Sequence, residues 1–179
     1  PFEIHKDERK LGVERKLVNW AITHDGLYFQ QSGGANVMDF SSGRRDRVPE
    51  NVQKSIAAIL APDQPQNDFY AYTDRNTRLH LSAPDWMAEA GCLDIVIGTR
   101  LHGNMAAIAG GALGVVVPHD KRTNELAETM FLPSLSIDDL MASDTLYDCA
   151  ERISFSADAF DERRKDVRSK LRQLTNEYF

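Results

Sequence analysis

The passage covering residues 93–118 constrains the fold more than any other part of the chain. Its segments are, in order, a short β-branched run, a turn with a glycine at each end, a stretch of small apolar residues and a run of valines: 93–97, 98–103, 104–110 and 115–117. We expect Gly111 and Gly114 to break the helix before the second strand. A strand, turn, helix and strand in this order indicate a parallel sheet with right-handed crossovers. The sequence therefore predicts an α/β fold, a Rossmann-like parallel sheet flanked by helices.

Periodicity and turn residues predict the other elements of one α/β domain over residues 1–179. Helices are expected at 7–24, from Pro49, from Ser82 or Pro84 and after the capping residue Asp120. Further helices follow at 137–141, at 146–153 and from about Phe160, so that 134–179 is a helical C-terminal part. Short strands are expected at 27–31 and 68–73, and a glycine- and serine-rich loop at about 32–47.

Composition excludes several classes of function. The chain has 179 residues, a formal net charge of −6 and a pI near 5.3, which disfavours nucleic-acid binding because that usually requires a basic face. No apolar run approaches the roughly 20 residues of a membrane helix. Cys92 and Cys149 are interpreted as small core residues. The scattered His5, His24 and His80 indicate no metal site.

The turn after the first valine- and isoleucine-rich strand is the strongest candidate for a binding site. Ligands of open parallel sheets bind at the carboxyl ends of the strands, and the start of a helix attracts anions. The turn residues that favour a phosphate or carboxylate site are Gly98, Thr99, Arg100, His102, Gly103 and Asn104. Arg100 has a planar fork for two anionic oxygens, and His102 can exchange a proton near neutral pH.

Each of these side chains also has a purely structural interpretation. Arg100 could instead form an ion pair with Asp94 or Asp120, and His102 could be a hydrogen-bonded structural residue. The sequence alone indicates an anion site and leaves both alternatives open.

The turn after the second strand repeats the pattern, so we expect the two turns to meet at one edge of the sheet. Asp120 is expected to cap the next helix, and His119 is either a ligand-facing imidazole or a hydrogen-bonded turn residue. Arg122 or Lys121 could face the same anion, with a solvated surface charge as the alternative.

These residues carry a resemblance to a known family. The runs DIVIGTRLHGN at 94–104 and VVVPHDKRTNEL at 115–126 resemble the polysaccharide pyruvyl transferase family. Weaker similarity extends to WMAEAGCLD at 86–94 and to residues 17–32, so the resemblance covers roughly residues 10–133. The Arg-Leu-His-Gly turn is its specific part.

The resemblance implies one half of a two-domain architecture like that of GT-B glycosyltransferases. This half would bind phosphoenolpyruvate, with the acceptor-facing domain expected upstream of Pro1. It implies transfer of an enolpyruvyl unit to a pair of sugar hydroxyls of an exopolysaccharide or its lipid-linked precursor, which forms a pyruvate ketal. Arg100 would bind the donor and His102 would handle the proton. No cofactor is implied. We expect a cytoplasmic protein, because the donor is a cytoplasmic metabolite, with peripheral membrane contact through a lipid-linked acceptor.

Two other functions remain compatible with the sequence. A nucleotide-sugar-dependent glycosyltransferase domain would use the same turns to hold a diphosphate, although no acidic ribose-binding residue is evident. A non-catalytic scaffold of the same fold would bind no small anion.

Overall fold

A computed structural model describes residues 7–31 and 33–178. Within this part of the chain the helices are α1 (Glu8–Thr23), α2 (Ala35–Ser41), α3 (Glu50–Leu60), α4 (Gln66–Asn76), α5 (Ala83–Ala90), α6 (Leu101–Gly110), α7 (Lys121–Met130), α8 (Ile137–Ala142), α9 (Leu146–Glu151) and α10 (Ala157–Tyr178). The strands are β1 (Tyr28–Phe29), β2 (Thr77–Arg78), β3 (Ile95–Gly98) and β4 (Leu113–Val116), and a short 3₁₀ helix covers Arg45–Arg47.

The fold is mixed α/β with parallel pairing, as the sequence predicts at that level. The four strands form two separate two-stranded parallel sheets, β1–β2 and β3–β4. Single bridges extend the second sheet from Val116 to Ser134 and from Ser134 to Ser154. No extended Rossmann-like sheet is present in the described ranges. The predicted α/β class is therefore confirmed, and the predicted large parallel sheet is not.

Two predictions for the first half of the chain are wrong. The strand expected at 68–73 lies in α4, where Phe69, Tyr72 and Asn76 are buried at helical spacing behind Pro65, the N-cap. The loop expected at about 32–47 contains α2, because Phe40 is completely buried and packs on Phe69 with ring centroids 6.0 Å apart. Burial of the aromatic side chain there outweighs the local preference of glycine and serine for loops.

Helix α6 lies unusually close to its neighbours. A Cβ atom on Gly110 would overlap the carbonyl oxygen of Met87 in α5, and one on Gly114 would overlap the carbonyl oxygen of Asn104. Gly114 therefore lies inside β4 as a point of close helix–strand approach, which corrects its expected role as a helix breaker. Gly111 does end α6, in the left-handed conformation with φ of 100°.

Three buried clusters hold these elements together. The first surrounds β1 and contains Phe40, Ile56 and Phe69. The other two clusters lie on opposite faces of β4. Val115 and Val117 pack on one face, against α1 and α8, and Val116 packs on the other face, toward α7. Cys149 is buried as expected, whereas Cys92 is exposed, which corrects its assignment to the core.

Candidate functional site

The amino end of α6 follows β3 directly. The helix begins at Leu101, so His102 and Gly103 belong to its first turn and not to a preceding loop as the sequence predicts. Arg100 is the N-cap residue and makes no side-chain capping bond. The first N–H groups of a helix have no partner within it, and the N-cap side chain does not bind them here. This end of α6 can therefore hold an anion.

Asn104 fixes the turn in front of the helix. Its side chain is 1% exposed, and its Nδ2 donates to the carbonyl oxygens of Gly98 at 2.9 Å and Arg100 at 3.0 Å. Asn104 is thus a structural support for the turn.

A cavity of about 300 Å³ opens at this end of α6, and we name it the histidine pocket. Its lining consists of two histidines, one arginine, two aromatic residues and two glutamines: His80, His102, Arg100, Phe29, Trp86, Gln30 and Gln31. Arg100 is half-buried and His102 is exposed. The structure therefore brings Arg100 and His102, to which the resemblance assigns donor binding and proton transfer, to one cavity.

His80 lies in the segment after β2, and its side chain lines the histidine pocket. Contacts with Glu89, Trp86 and Phe29 hold its ring in place. Its Nε2 lies 2.6 Å from Oε2 of Glu89, and Nε of Arg78 donates to the other oxygen, Oε1, at 2.8 Å. The ring stacks on Trp86 with centroids 6.3 Å apart and also contacts Phe29 at 5.8 Å. These contacts fix the orientation of the imidazole.

A second cavity, of about 200 Å³, lies between the two sheets, and we name it the inter-sheet cleft. It is lined by most of the predicted anion-binding residues of the first turn: Gly98, Thr99, Arg100, Gly103 and Asn104. Arg100 lines both cavities, so they meet at its side chain.

The carboxylate of Glu14 lies in the wall of the inter-sheet cleft and is 3% exposed. It accepts hydrogen bonds from the hydroxyls of Tyr28 at 3.2 Å and Thr99 at 3.4 Å. Burial, followed by the nearby Glu14 charge, holds the pKa of Tyr28 well above its usual value. Tyr28 therefore stays protonated and remains a donor to Glu14.

The second predicted turn lies at a different cavity. His119, Asp120 and Lys121 line a polar groove of about 540 Å³, whereas Arg122 is exposed and does not line it. Asp120 accepts from the N–H of Thr123 at 2.7 Å and completes a capping box on α7, as predicted. That hydrogen bond lowers the pKa of Asp120. The structure thus does not bring the two turns into one cavity.

Sequence reasoning missed Glu14, His80, Glu89 and Trp86 as site residues. Glu14 left one signal, because it is a charged residue on a face of α1 that also carries Leu11 and Val18, both buried. His80 left none, since its neighbours in sequence form no recognisable motif.

Comparison with known proteins does not identify the chain. It matches no family model, and it has no significant match among curated proteins or solved structures. Among the residues that the structure describes, no helix is long and apolar enough to cross a membrane, and no group of three or more His, Cys, Asp and Glu side chains could hold a metal ion.

Proposed function

We propose that this chain is the donor-binding part of an enzyme that transfers the enolpyruvyl unit of phosphoenolpyruvate to sugar hydroxyls and forms a pyruvate ketal. The observation that carries the proposal is the joint position of Arg100 and His102 in one pocket at the amino end of α6. The resemblance of residues 94–104 and 115–126 to polysaccharide pyruvyl transferases supports the same assignment.

The chemistry of the donor suits this arrangement. Phosphoenolpyruvate is small and carries a carboxylate and a phosphate, which match an arginine fork and the free N–H groups of a helix start. Arg100 binds one anionic group and the first turn of α6 binds the other.

His102 is the proton donor in the proposed reaction. Its imidazolium gives a proton to the methylene carbon of the donor, which leaves a cation-like centre at the carbon that becomes the ketal. One acceptor hydroxyl attacks this carbon and releases its proton. A second hydroxyl then displaces the phosphate, which leaves with the remaining proton. A positioned acid of this kind contributes on the order of 10²–10⁴ in rate.

The rest of the enzyme follows from the same proposal. The saccharide acceptor would bind to a further domain that faces the histidine pocket across a cleft, in a GT-B-like architecture. The enzyme would act in the cytoplasm, where the donor is made, and would reach the membrane through a lipid-linked acceptor.

Calorimetric titration with phosphoenolpyruvate tests the proposal. We expect the chain to bind the donor and Arg100→Ala to weaken binding at least tenfold, because hydrogen bonds to charged groups contribute about 1.5–3 kcal/mol. The matched control is Arg168→Ala, which removes an exposed arginine of α10 and should leave the affinity unchanged.

Uridine diphosphate is the competing ligand in this titration. Binding of the nucleotide without binding of phosphoenolpyruvate would replace the proposal with a nucleotide-sugar-dependent glycosyltransferase. Binding of neither would favour a scaffold without a donor site.

A further inference from the structure

An anionic ligand must bind to this chain although the chain itself carries a net negative charge. The formal net charge is −6, so the field of the whole protein repels a phosphate, and the attraction has to be local. Phosphoenolpyruvate carries close to three negative charges at neutral pH, because the second pKa of a phosphate is about 6. Arg100 supplies one positive charge, and the two histidines of the pocket are the groups that can supply more.

The titratable and charged groups near His80 come from three elements. Glu89 of α5 contacts its Nε2, Arg78 of β2 neutralises that carboxylate, and Arg100 and His102 at the start of α6 line the same pocket. Because Glu89 is paired with Arg78 and lies at Nε2, it orients the ring. The imidazole is only 16% exposed, so this orientation is well defined.

The aromatic neighbours of His80 hold its ring in place. The ring stacks on the indole of Trp86 with centroids 6.3 Å apart and lies 5.8 Å from the ring of Phe29. The carboxylate of Glu89, itself paired with Arg78, lies at Nε2 on the other side. His80 is thus held at the wall of the pocket that Arg100 and His102 also line, where a proton on its ring would add a positive charge beside a bound anion.

We propose that His80 is a third anion-binding residue of the histidine pocket, and that ligand binding is coupled to protonation of His80 and His102. With both imidazoles charged, the pocket presents three cations to a trianionic ligand. Monoanions such as pyruvate cannot draw the same protonation, so the pocket selects for phosphorylated acids. This inference rests on the proposed function only for its choice of phosphoenolpyruvate as ligand.

The experiment is calorimetry at pH 7.5 in two phosphate-free buffers of different ionisation enthalpy, which gives the protons taken up per ligand bound. We expect uptake of about one to two protons with phosphoenolpyruvate, about half of that in His80→Gln, and little with pyruvate. His80→Gln should also weaken binding about tenfold at pH 6.5 and much less at pH 8.5, where a histidine is neutral.

The glutamine amide can still donate to Glu89, so the variant tests charge more than packing. His24→Gln is the control, because His24 is exposed at the end of α1 and lines the inter-sheet cleft, not the histidine pocket, so its proton uptake should equal that of the wild type. If His80→Gln melts well below the wild type, His80→Lys replaces it. Its fixed charge should preserve affinity at pH 8.5 and reduce proton uptake.

Inorganic phosphate is titrated in parallel to separate this inference from the proposed function. Equal proton uptake by wild type and His80→Gln on binding phosphoenolpyruvate would overturn the role of His80 and leave the proposed donor intact. Uptake that depends on His80 with inorganic phosphate, without binding of phosphoenolpyruvate, would support the anion site and overturn the donor. Failure to bind either anion would overturn both.

Discussion

Glu14 connects two parts of the chain through a single buried carboxylate. It lies in α1 and accepts hydrogen bonds from Tyr28 in β1 and from Thr99 just before Arg100. A buried carboxylate without donors would be costly, and these two hydroxyls offset part of that cost. Thr99 thereby ties the turn before α6 to α1.

Tyr28 makes this arrangement sensitive to alkali. Its pKa is raised in the folded state, so the stabilisation it provides is complete below about pH 10, its unfolded value, and decreases as the pH rises further. Between the unfolded and folded values, the loss is about 1.4 kcal/mol per pH unit for each such tyrosine. The pKa of Tyr72 is also raised, chiefly by burial, so two tyrosines contribute.

We expect Tyr28→Phe to reduce this alkaline slope, because one of the two tyrosines with a raised pKa is gone. The variant should also lose about 1 kcal/mol at pH 8, where Glu14 loses a donor. Urea denaturation at pH 8, 9, 10 and 11 measures both effects. Tyr147→Phe removes a tyrosine that is 83% exposed and should follow the wild type. Parallel curves for wild type and Tyr28→Phe would contradict the prediction.

At the level of elements, the position of α6 depends on small residues. Gly91 and Gly110 allow α5 and α6 to touch through their backbones, and Gly114 allows β4 to approach α6. Gly103 serves the pocket in the same way, since a Cβ atom there would come within 3.2 Å of the Trp86 ring. The position of α6 is therefore set by backbone contacts at Gly110 and Gly114 and by side-chain contacts at Gly103.

Gly110→Ala should lower the free energy of unfolding by about 2 kcal/mol, because its Cβ would overlap the backbone of α5. The sign of this change in the free energy of unfolding is informative, since alanine in an unobstructed helix position would instead stabilise the protein by up to about 1 kcal/mol. Gly12→Ala is the control: Gly12 lies inside α1 and its added Cβ would make only an ordinary contact with Met141 at 3.6 Å, so this variant should be stabilised. A more stable Gly110→Ala protein would disprove close packing between α5 and α6.

At the level of the whole molecule, α10 differs from the other helices. Its first part packs on the protein, where Phe160 joins the cluster around Val116 and Leu132. Val167, Leu171 and Leu174 lie at helical spacing on one face of α10, and all three are at least 40% exposed. Stabilisation by α10 is therefore concentrated near its amino end.

Truncation after Asp166 should change the free energy of unfolding by less than about 0.5 kcal/mol, because residues 167–176 are exposed. Phe160→Ala should cost about 1–2 kcal/mol, since its half-buried ring packs on the third cluster. Urea denaturation of the two proteins compares the ends of α10 directly. A large loss on truncation would show that the distal half packs on the protein.

Local features of the sequence were sufficient to predict the helices and strands on which the site depends. Asp120 caps α7 as predicted, and the β3–α6–β4 unit follows the predicted order. These features depend on the chemistry of adjacent residues, so a single sequence reveals them. The strand expected at 68–73 failed because alternation and helical spacing are hard to distinguish in a short aromatic segment.

The sequence by itself determined that an arginine and a histidine lie at the junction between a strand and a helix. Only the tertiary structure decided which residues from other parts of the chain lie near this arginine and histidine. His80 reaches the pocket from a segment with no motif, and Glu14 meets Thr99 across 85 positions of sequence. The structure also divided the strands into two sheets and placed the two candidate turns at separate cavities. Such contacts depend on which buried faces pack together, and that is a property of the whole chain.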